Sequence, residues 1–157
     1  MKKKEHRNQY IKDKATKRGK IMGYEYWIVP APLEDTLNGY VVFPKRPVRE
    51  KGYQGILTYV PVHGGITYSE GDELGMVYGF DTLHCDSDKF PRKSPKWIKK
   101  QIRIMIEGIL KAKEVERKYL QALTQKTKAK YAQIVKDIEP NAELGFGAMI
   151  NLLGGEL

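Results

Sequence analysis

The spacing of apolar residues changes abruptly at Pro95, and this change constrains the fold more than any other feature. Before Pro95, aromatic and β-branched residues occur in short runs separated by Gly, Pro and Asn, which is typical of strands joined by tight turns. From Ile98 to Leu123, apolar residues recur every three or four positions with charged residues between them, as in an amphipathic helix. Strands followed by helices predict the α+β class.

We expect about five strands in an antiparallel or mixed sheet, near residues 24–29, 39–43, 55–60, 64–69 and 75–80. Ser94 and Pro95 predict the start of a long helix, because serine caps helices and proline suits their first turn. A second, shorter helix is expected around 127–138, before Pro140. The apolar segment 144–153 fits a helix or a strand equally well.

The net charge of +9 is concentrated at the start of the chain. Residues 1–20 hold nine Lys or Arg and two acids, a net charge of +7, and the other 137 residues carry only +2. We therefore expect a basic flexible tail over 1–20 and a single α+β domain over 21–157. An alternative role for the tail is binding to the phosphate backbone of nucleic acid.

Composition excludes several classes of protein. No apolar window reaches the roughly 18 residues that a membrane span needs, so we expect a cytoplasmic protein that does not enter membranes. The single cysteine, Cys85, excludes an internal disulfide framework and a cysteine-rich zinc site. Phosphate-binding loops, dinucleotide-binding turns, zinc-protease helices and serine-hydrolase elbows have no sequence support either.

The polar residues that are able to catalyse a reaction or bind a ligand lie in two stretches, 62–68 and 78–86, joined by the polar loop 69–74. A hairpin centred near Asp72 would place His63 and Asp81 at the same end of one ladder. Two more polar side chains, His84 and Asp86, follow within five residues. Imidazole and carboxylate groups gathered in this way suit a divalent metal, acid–base catalysis or a polar ligand.

These two stretches and the residues after them supply the candidate site. The candidate catalytic residues are His63, Asp81 and His84. The ligands of a divalent metal such as Zn²⁺ or Mn²⁺ would be His63, Asp81, His84 and Asp86. The candidate ligand-binding residues are His63, Gly64, Gly65, Thr67, Tyr68, Asp81, His84, Lys89 and Arg92. The two glycines would admit a ligand close to the backbone, and the two basic residues would neutralise phosphates.

A purely structural interpretation of the same residues stands beside the functional one. Asp81 would then bond backbone amides in an Asx turn, Asp86 and Asp88 would be solvated loop acids, and His63 would be a hydrogen-bonded histidine at a strand start. The cations Lys89, Arg92 and Lys93, which could neutralise phosphates, would instead serve solvation.

The same two stretches resemble a group of small bacteriophage and prophage proteins that share V-H-G-G-x-T-[YF] and G-F-D-x-x-H segments. The matching residues are Val62–Tyr68 and Gly79–His84, and the resemblance spans roughly residues 55–120. This chain departs from the group at Thr82, where members have Cys or Ala, and at 76–78, where they have a Trp-containing run. The resemblance implies an accessory protein that acts on host metabolism or defence, but it implies no reaction.

Three functions are consistent with these features. The leading hypothesis is a phage accessory protein in the bacterial cytoplasm that binds a small anionic, nucleotide-derived host signal. The first alternative is a metal-dependent hydrolase of a phosphate ester or nucleotide. The second is a non-catalytic protein or nucleic-acid binder that uses residues 1–20. The sequence leaves the oligomeric state open.

Overall fold

The computed structural model describes residues 7–32, 35–49, 55–83 and 89–138. In chain order the elements are α1 (Arg7–Asp13), β1 (Lys17–Ile21), β2 (Tyr24–Pro30), β3 (Leu37–Phe43), a 3-10 helix (Gly55–Tyr59), β4 (Tyr68–Asp72), β5 (Gly75–Phe80) and α2 (Pro95–Ile138). The five strands form one antiparallel sheet in the order β1-β2-β3-β5-β4. The expected α+β class, with about five strands and a long C-terminal helix, is confirmed.

Two of the expected strands differ from the structure. Residues 55–59 form the 3-10 helix instead of a strand, because the apolar run buries Leu57 in a tight turn that the Val60 N–H closes on the Leu57 carbonyl, at 3.2 Å. The strand expected over 64–69 begins only at Tyr68. Gly64 and Gly65 have φ angles of 69° and 80°, which form a turn and cannot continue a strand.

Residues 7–20 depart from the flexible tail expected over 1–20, because they form α1 and most of the edge strand β1. The side chain of Asn8 is fully buried against β4, where its Oδ1 accepts a 2.7 Å hydrogen bond from the Tyr68 hydroxyl. The Lys12 ammonium lies 2.9 Å from Glu25 and over the Trp27 ring. Polar and cation–π contacts therefore attach α1 to the outer face of the sheet.

The burial of Tyr68 predicts a loss of stability at alkaline pH. Burial raises the pKa of Tyr68 to about 12, whereas an unfolded tyrosine ionises near pH 10. The folded state thus keeps a proton that the unfolded state releases. We expect this stabilisation to be complete below about pH 10 and to disappear as the pH rises through about 12. Urea unfolding at several alkaline pH values measures it. Tyr68→Phe should weaken the dependence, and the part that remains is expected from Tyr40, whose pKa burial also raises. An unchanged dependence in Tyr68→Phe would contradict the assignment.

The inner face of the sheet packs against the first part of α2. Fully buried side chains from the strands, among them Ile28, Val41 and Tyr78, meet a row of equally buried residues on α2: Ile98, Ile102, Met105, Ile106 and Ile109. Gly39 permits this close packing, since a Cβ there would overlap the Phe80 ring and touch Ile102. The hydrophobic effect of this burial fixes α2 on the sheet.

The second expected helix is the continuation of the first. The described helix is unbroken from Pro95 to Ile138. Thr124 and Thr127 do not cap a new helix; their hydroxyls donate to the carbonyls of Leu120 and Leu123, each at 2.9 Å, within the same helix. The short second helix of the fold is instead α1.

The chain forms two compact units, Met1–Glu114 and Val115–Leu157, so it does not divide at residue 20 as the charge suggested. In the second unit, described apolar side chains such as Tyr119 and Leu123 are exposed. None of the helices in the described ranges is long and apolar enough to cross a membrane. The segment 144–153 lies outside the described residues.

Candidate anion-binding site

His63 is held against the first turns of α2. It lies in a turn in which the Gly65 N–H donates to the Val62 carbonyl at 2.9 Å. Its own backbone N–H donates to Gln101 Oε1 at 3.0 Å. Its ring packs edge-on against Phe90 and Trp97, with centroids 4.7 and 5.2 Å away. His63 is thus part of an aromatic cluster at the start of α2.

Asp81 has different neighbours. Its backbone N–H donates to Thr67 Oγ1 at 3.2 Å, and its Oδ1 accepts from the Leu83 N–H at 3.0 Å. The second contact is the Asx turn of the structural interpretation. Burial raises the pKa of Tyr40, and the Asp81 charge raises it further. Because Tyr40 packs in the cluster on the outer face of the sheet, Asp81 lies near that face.

The hairpin register explains why the described contacts of His63 and Asp81 differ. The turn centres between Glu73 and Leu74, not near Asp72, because Asp72 pairs with Gly75. Pairing ends with Tyr68 opposite Gly79. Continued by two residues, the same register would place Ile66, and not His63, opposite Asp81.

The other predicted site residues have separate positions. Thr67 contacts Asp81, whereas Tyr68 hydrogen-bonds α1. Gly64 and Gly65 form the turn, and their positive φ angles are the reason that glycine is needed there. Close packing is not the reason at Gly65, because a Cβ there would meet no atom within 4 Å. Lys89 is exposed, and Arg92 is half-buried just before α2.

The metal-binding and catalytic candidates stay predictions. The candidates His84 and Asp86 lie outside the described residues, as do Cys85 and Asp88. Within the described ranges, no group of three or more His, Cys, Asp or Glu is placed to hold a metal ion. A shared pocket of His63, Asp81 and His84 therefore has no support beyond the sequence.

An open cleft of about 550 Å³ lies immediately before α2, lined by Phe90, Pro91, Arg92, Lys93 and Ser94. Two 2.8 Å backbone bonds shape it: the Arg92 N–H donates to the Phe90 carbonyl, and the Ser94 N–H to that of Pro91. The Arg92 carbonyl accepts from the Leu37 N–H at 3.1 Å, which ties the cleft to β3. The cleft is therefore positioned by the sheet.

One aromatic and two cationic side chains give the cleft its chemistry. Phe90 is 42% exposed and stacks on Trp97, with centroids 5.9 Å apart and the planes 28° apart. Arg92 adds a guanidinium group. The Lys93 ammonium pairs with Asp35 at 3.0 Å, but both side chains are largely exposed, so the pair is weak.

A basic segment of the chain begins at the cleft and continues into α2. Residues 92–103 contain six Lys or Arg and no acid: Arg92, Lys93, Lys96, Lys99, Lys100 and Arg103. Arg92 was one of our sequence-based site residues, and Lys93 was named beside it as a cation that could neutralise phosphates. Lys99, Lys100 and Arg103 were assigned to the charged face of the amphipathic helix, so the acid-free run as a whole was not singled out.

Comparison with protein-family models, with curated proteins and with solved structures finds no match to this chain. The resemblance to phage proteins over Val62–Tyr68 and Gly79–His84 therefore stays a prediction.

Proposed function

We propose that the cleft before α2 binds a small anionic, nucleotide-derived ligand. One observation carries the proposal: a partly exposed aromatic ring, Phe90, shares an open cleft with Arg92 and Lys93. A base stacks on an aromatic face, and a phosphate accepts charge-assisted hydrogen bonds from guanidinium and ammonium groups. The cleft therefore offers both halves of nucleotide recognition.

The packing behind Phe90 also supports the proposal. Trp97 stacks on the ring, and His63 contacts both rings edge-on. A ring held in this way loses little side-chain freedom when a base stacks on it, so less of the interaction free energy is spent on ordering. In this role His63 is a support for the binding surface and not a metal ligand.

We further propose that the ligand is a signalling nucleotide of a bacterial host, bound by a phage accessory protein in the host cytoplasm. The motif resemblance of Val62–Tyr68 and Gly79–His84 is the support for this setting. Incubation of the protein with candidate nucleotides, followed by heat denaturation and recovery of the small molecules, tests it. Intact recovered nucleotide supports sequestration, whereas a converted product would replace this proposal with an enzymatic one.

Calorimetric titrations with a nucleoside, the matching nucleotide and pyrophosphate test the cleft itself. We expect the nucleotide to bind most tightly. Phe90→Ala should weaken nucleotide binding by about 1–3 kcal/mol, the usual contribution of one base–aromatic stack, and leave pyrophosphate binding unchanged. The double variant Arg92→Gln Lys93→Gln should weaken both anions roughly tenfold or more, because it removes two charged donors.

The matched control is Lys111→Gln Lys113→Gln, which likewise removes two positive charges, here from exposed residues of α2. These residues begin roughly 25 Å along the helix from Ser94, at 1.5 Å per residue, so their loss should leave nucleotide affinity unchanged. Thermal unfolding of each variant verifies that it is folded. Equal affinity for nucleoside and nucleotide, or equal losses in the two double variants, would contradict the proposal.

A further inference from the structure

We infer that the first turns of α2 bind the phosphate backbone of a single-stranded nucleic acid through Lys96, Lys100 and Arg103. This inference rests on the proposed function in one respect, because it takes the cleft as the place where the terminal base of the strand stacks. The ligand is then a nucleic-acid strand instead of a small nucleotide, since a strand contacts the helix surface as well as the cleft.

The three cations share one face of α2. They follow one another at steps of four and three residues, and all three are exposed. The buried residues Ile98 and Ile102 lie on the opposite face, against the sheet. At 1.5 Å per residue, the cations extend over about 10 Å of helix beyond the cleft. A row of this kind can follow a repeating chain of phosphates.

The arrangement lowers the stability of the helix, which argues against a role in solvation alone. The first turn of α2 contains no acidic residue, although acids are favoured there and cations disfavoured by the helix dipole. Lys96 with Lys100 and Lys99 with Arg103 are like-charged pairs four residues apart, and such pairs repel each other. Bound phosphates would relieve both effects, and violations of local rules of this kind concentrate at functional sites.

The exposed ring of Phe90 favours a nucleic acid over an acidic protein. The row of cations begins at Lys96, two residues after Ser94 of the cleft in which this ring is 42% exposed, so the charges and a stacking surface are adjacent along the chain. Stacking on aromatic rings with backbone contacts to cations is the common mode of single-strand binding. Glu107, one turn after Arg103 and also exposed, ends the row of cations.

Fluorescence anisotropy with a labelled ten-residue oligothymidylate tests the inference, alongside calorimetry with thymidine monophosphate. We expect the full-length protein to bind the oligonucleotide more tightly than the mononucleotide, with affinity falling as salt rises. Lys100→Gln Arg103→Gln should lower oligonucleotide affinity about fivefold or more. Loss of two contacts should also reduce the slope against log salt by about 1.4. The Lys100→Gln Arg103→Gln variant should keep its affinity for the mononucleotide. The control Lys111→Gln Lys113→Gln should keep its affinity for both ligands.

A stabilising variant keeps the test independent of misfolding. Lys96→Glu places an acid in the first turn and removes a like-charged pair, so we expect the melting temperature to rise by about 1–3 °C while oligonucleotide affinity falls. Increased stability without loss of binding would overturn the inference.

The two proposals fail in different ways. Mononucleotide binding without tighter oligonucleotide binding overturns the inference and leaves the proposed function standing. Oligonucleotide binding that depends on Lys100 and Arg103, without mononucleotide binding, overturns the proposed function and leaves the inference standing. Displacement of the oligonucleotide by polyglutamate at equal charge concentration would overturn the assignment to nucleic acid in favour of an acidic protein.

Discussion

Replacing Gly75 by alanine is expected to lower the free energy of unfolding by about 2–6 kcal/mol, the combined range of backbone strain and overpacking. Gly75 has a φ of +121°, which L-residues rarely adopt, and a Cβ there would overlap the backbone oxygen of Phe43. Since that oxygen belongs to the neighbouring strand β3, it cannot move aside as a flexible side chain would. The strain would therefore separate β5 from β3 at the end of their ladder.

Gly23→Ala is the matched control for this prediction. Gly23 also has a positive φ, of +84°, but a Cβ there would meet no atom within 4 Å. The Gly23→Ala variant should lose only about 1–2 kcal/mol of unfolding free energy, the cost of the left-handed conformation itself. Urea unfolding followed by circular dichroism measures both variants. Equal losses would mean that the contact with Phe43 adds nothing to the backbone strain.

Ile102→Ala is expected to lower the free energy of unfolding by about 2–5 kcal/mol, as large-to-small changes in a core do. Ile102 is fully buried where α2 crosses the sheet, and its Cγ1 would lie about 3.0 Å from a Cβ built on Gly39. Gly39 has no side chain with which to fill the cavity. The expected loss thus lies towards the upper end of the range.

Ile134→Ala tests whether this loss depends on burial. Ile134 lies on the same helix but is 40% exposed, so its truncation should change the free energy of unfolding by about 0.5 kcal/mol or less. Both variants are measured by urea unfolding with wild type alongside. A loss of less than about 1 kcal/mol for Ile102→Ala would contradict its assignment to the core.

The central strands and the start of α2 were predictable because their local signals agree with their packing. The strands β2, β3 and β5 carry runs of aromatic and β-branched residues, and all three lie inside the sheet. At the helix start, the Ser94 hydroxyl accepts the Trp97 N–H at 3.4 Å, as the Ser-Pro pattern indicated.

The first secondary-structure elements could not be predicted from the same signals. In β1 the first four residues are exposed and only Ile21 is buried, so the strand lacks the alternation by which half-buried strands are recognised. Its turn uses Met22 and Gly23, both with positive φ, in place of the usual Asn-Gly pair. Long-range polar contacts, such as that of Asn8 with Tyr68, hold α1, and a local pattern does not reveal them.

The candidate site could be predicted only in part, because it too depends on which residues the fold brings together. The sequence predicted that His63 and Asp81 converge in one site, and this prediction depended on the centre of one hairpin. A shift of that centre by one or two residues changes which side chains face each other. Arg92 was among the residues named from the sequence, whereas Phe90 was not, since only the fold shows that the ring is exposed beside two cations.

The strand order has a consequence for how the protein folds. β1, β2 and β3 follow one another as neighbours, so short turns bring them together quickly. β5, however, must find β3 at a distance in the chain, with Phe43 paired to Met76 and Gly39 to Phe80. Closing such a loop costs chain entropy before any contact repays it. We expect the docking of the β4–β5 hairpin onto β3 to limit the rate of folding, and substitutions at Val41 or Tyr78 to slow refolding more than substitutions within β1.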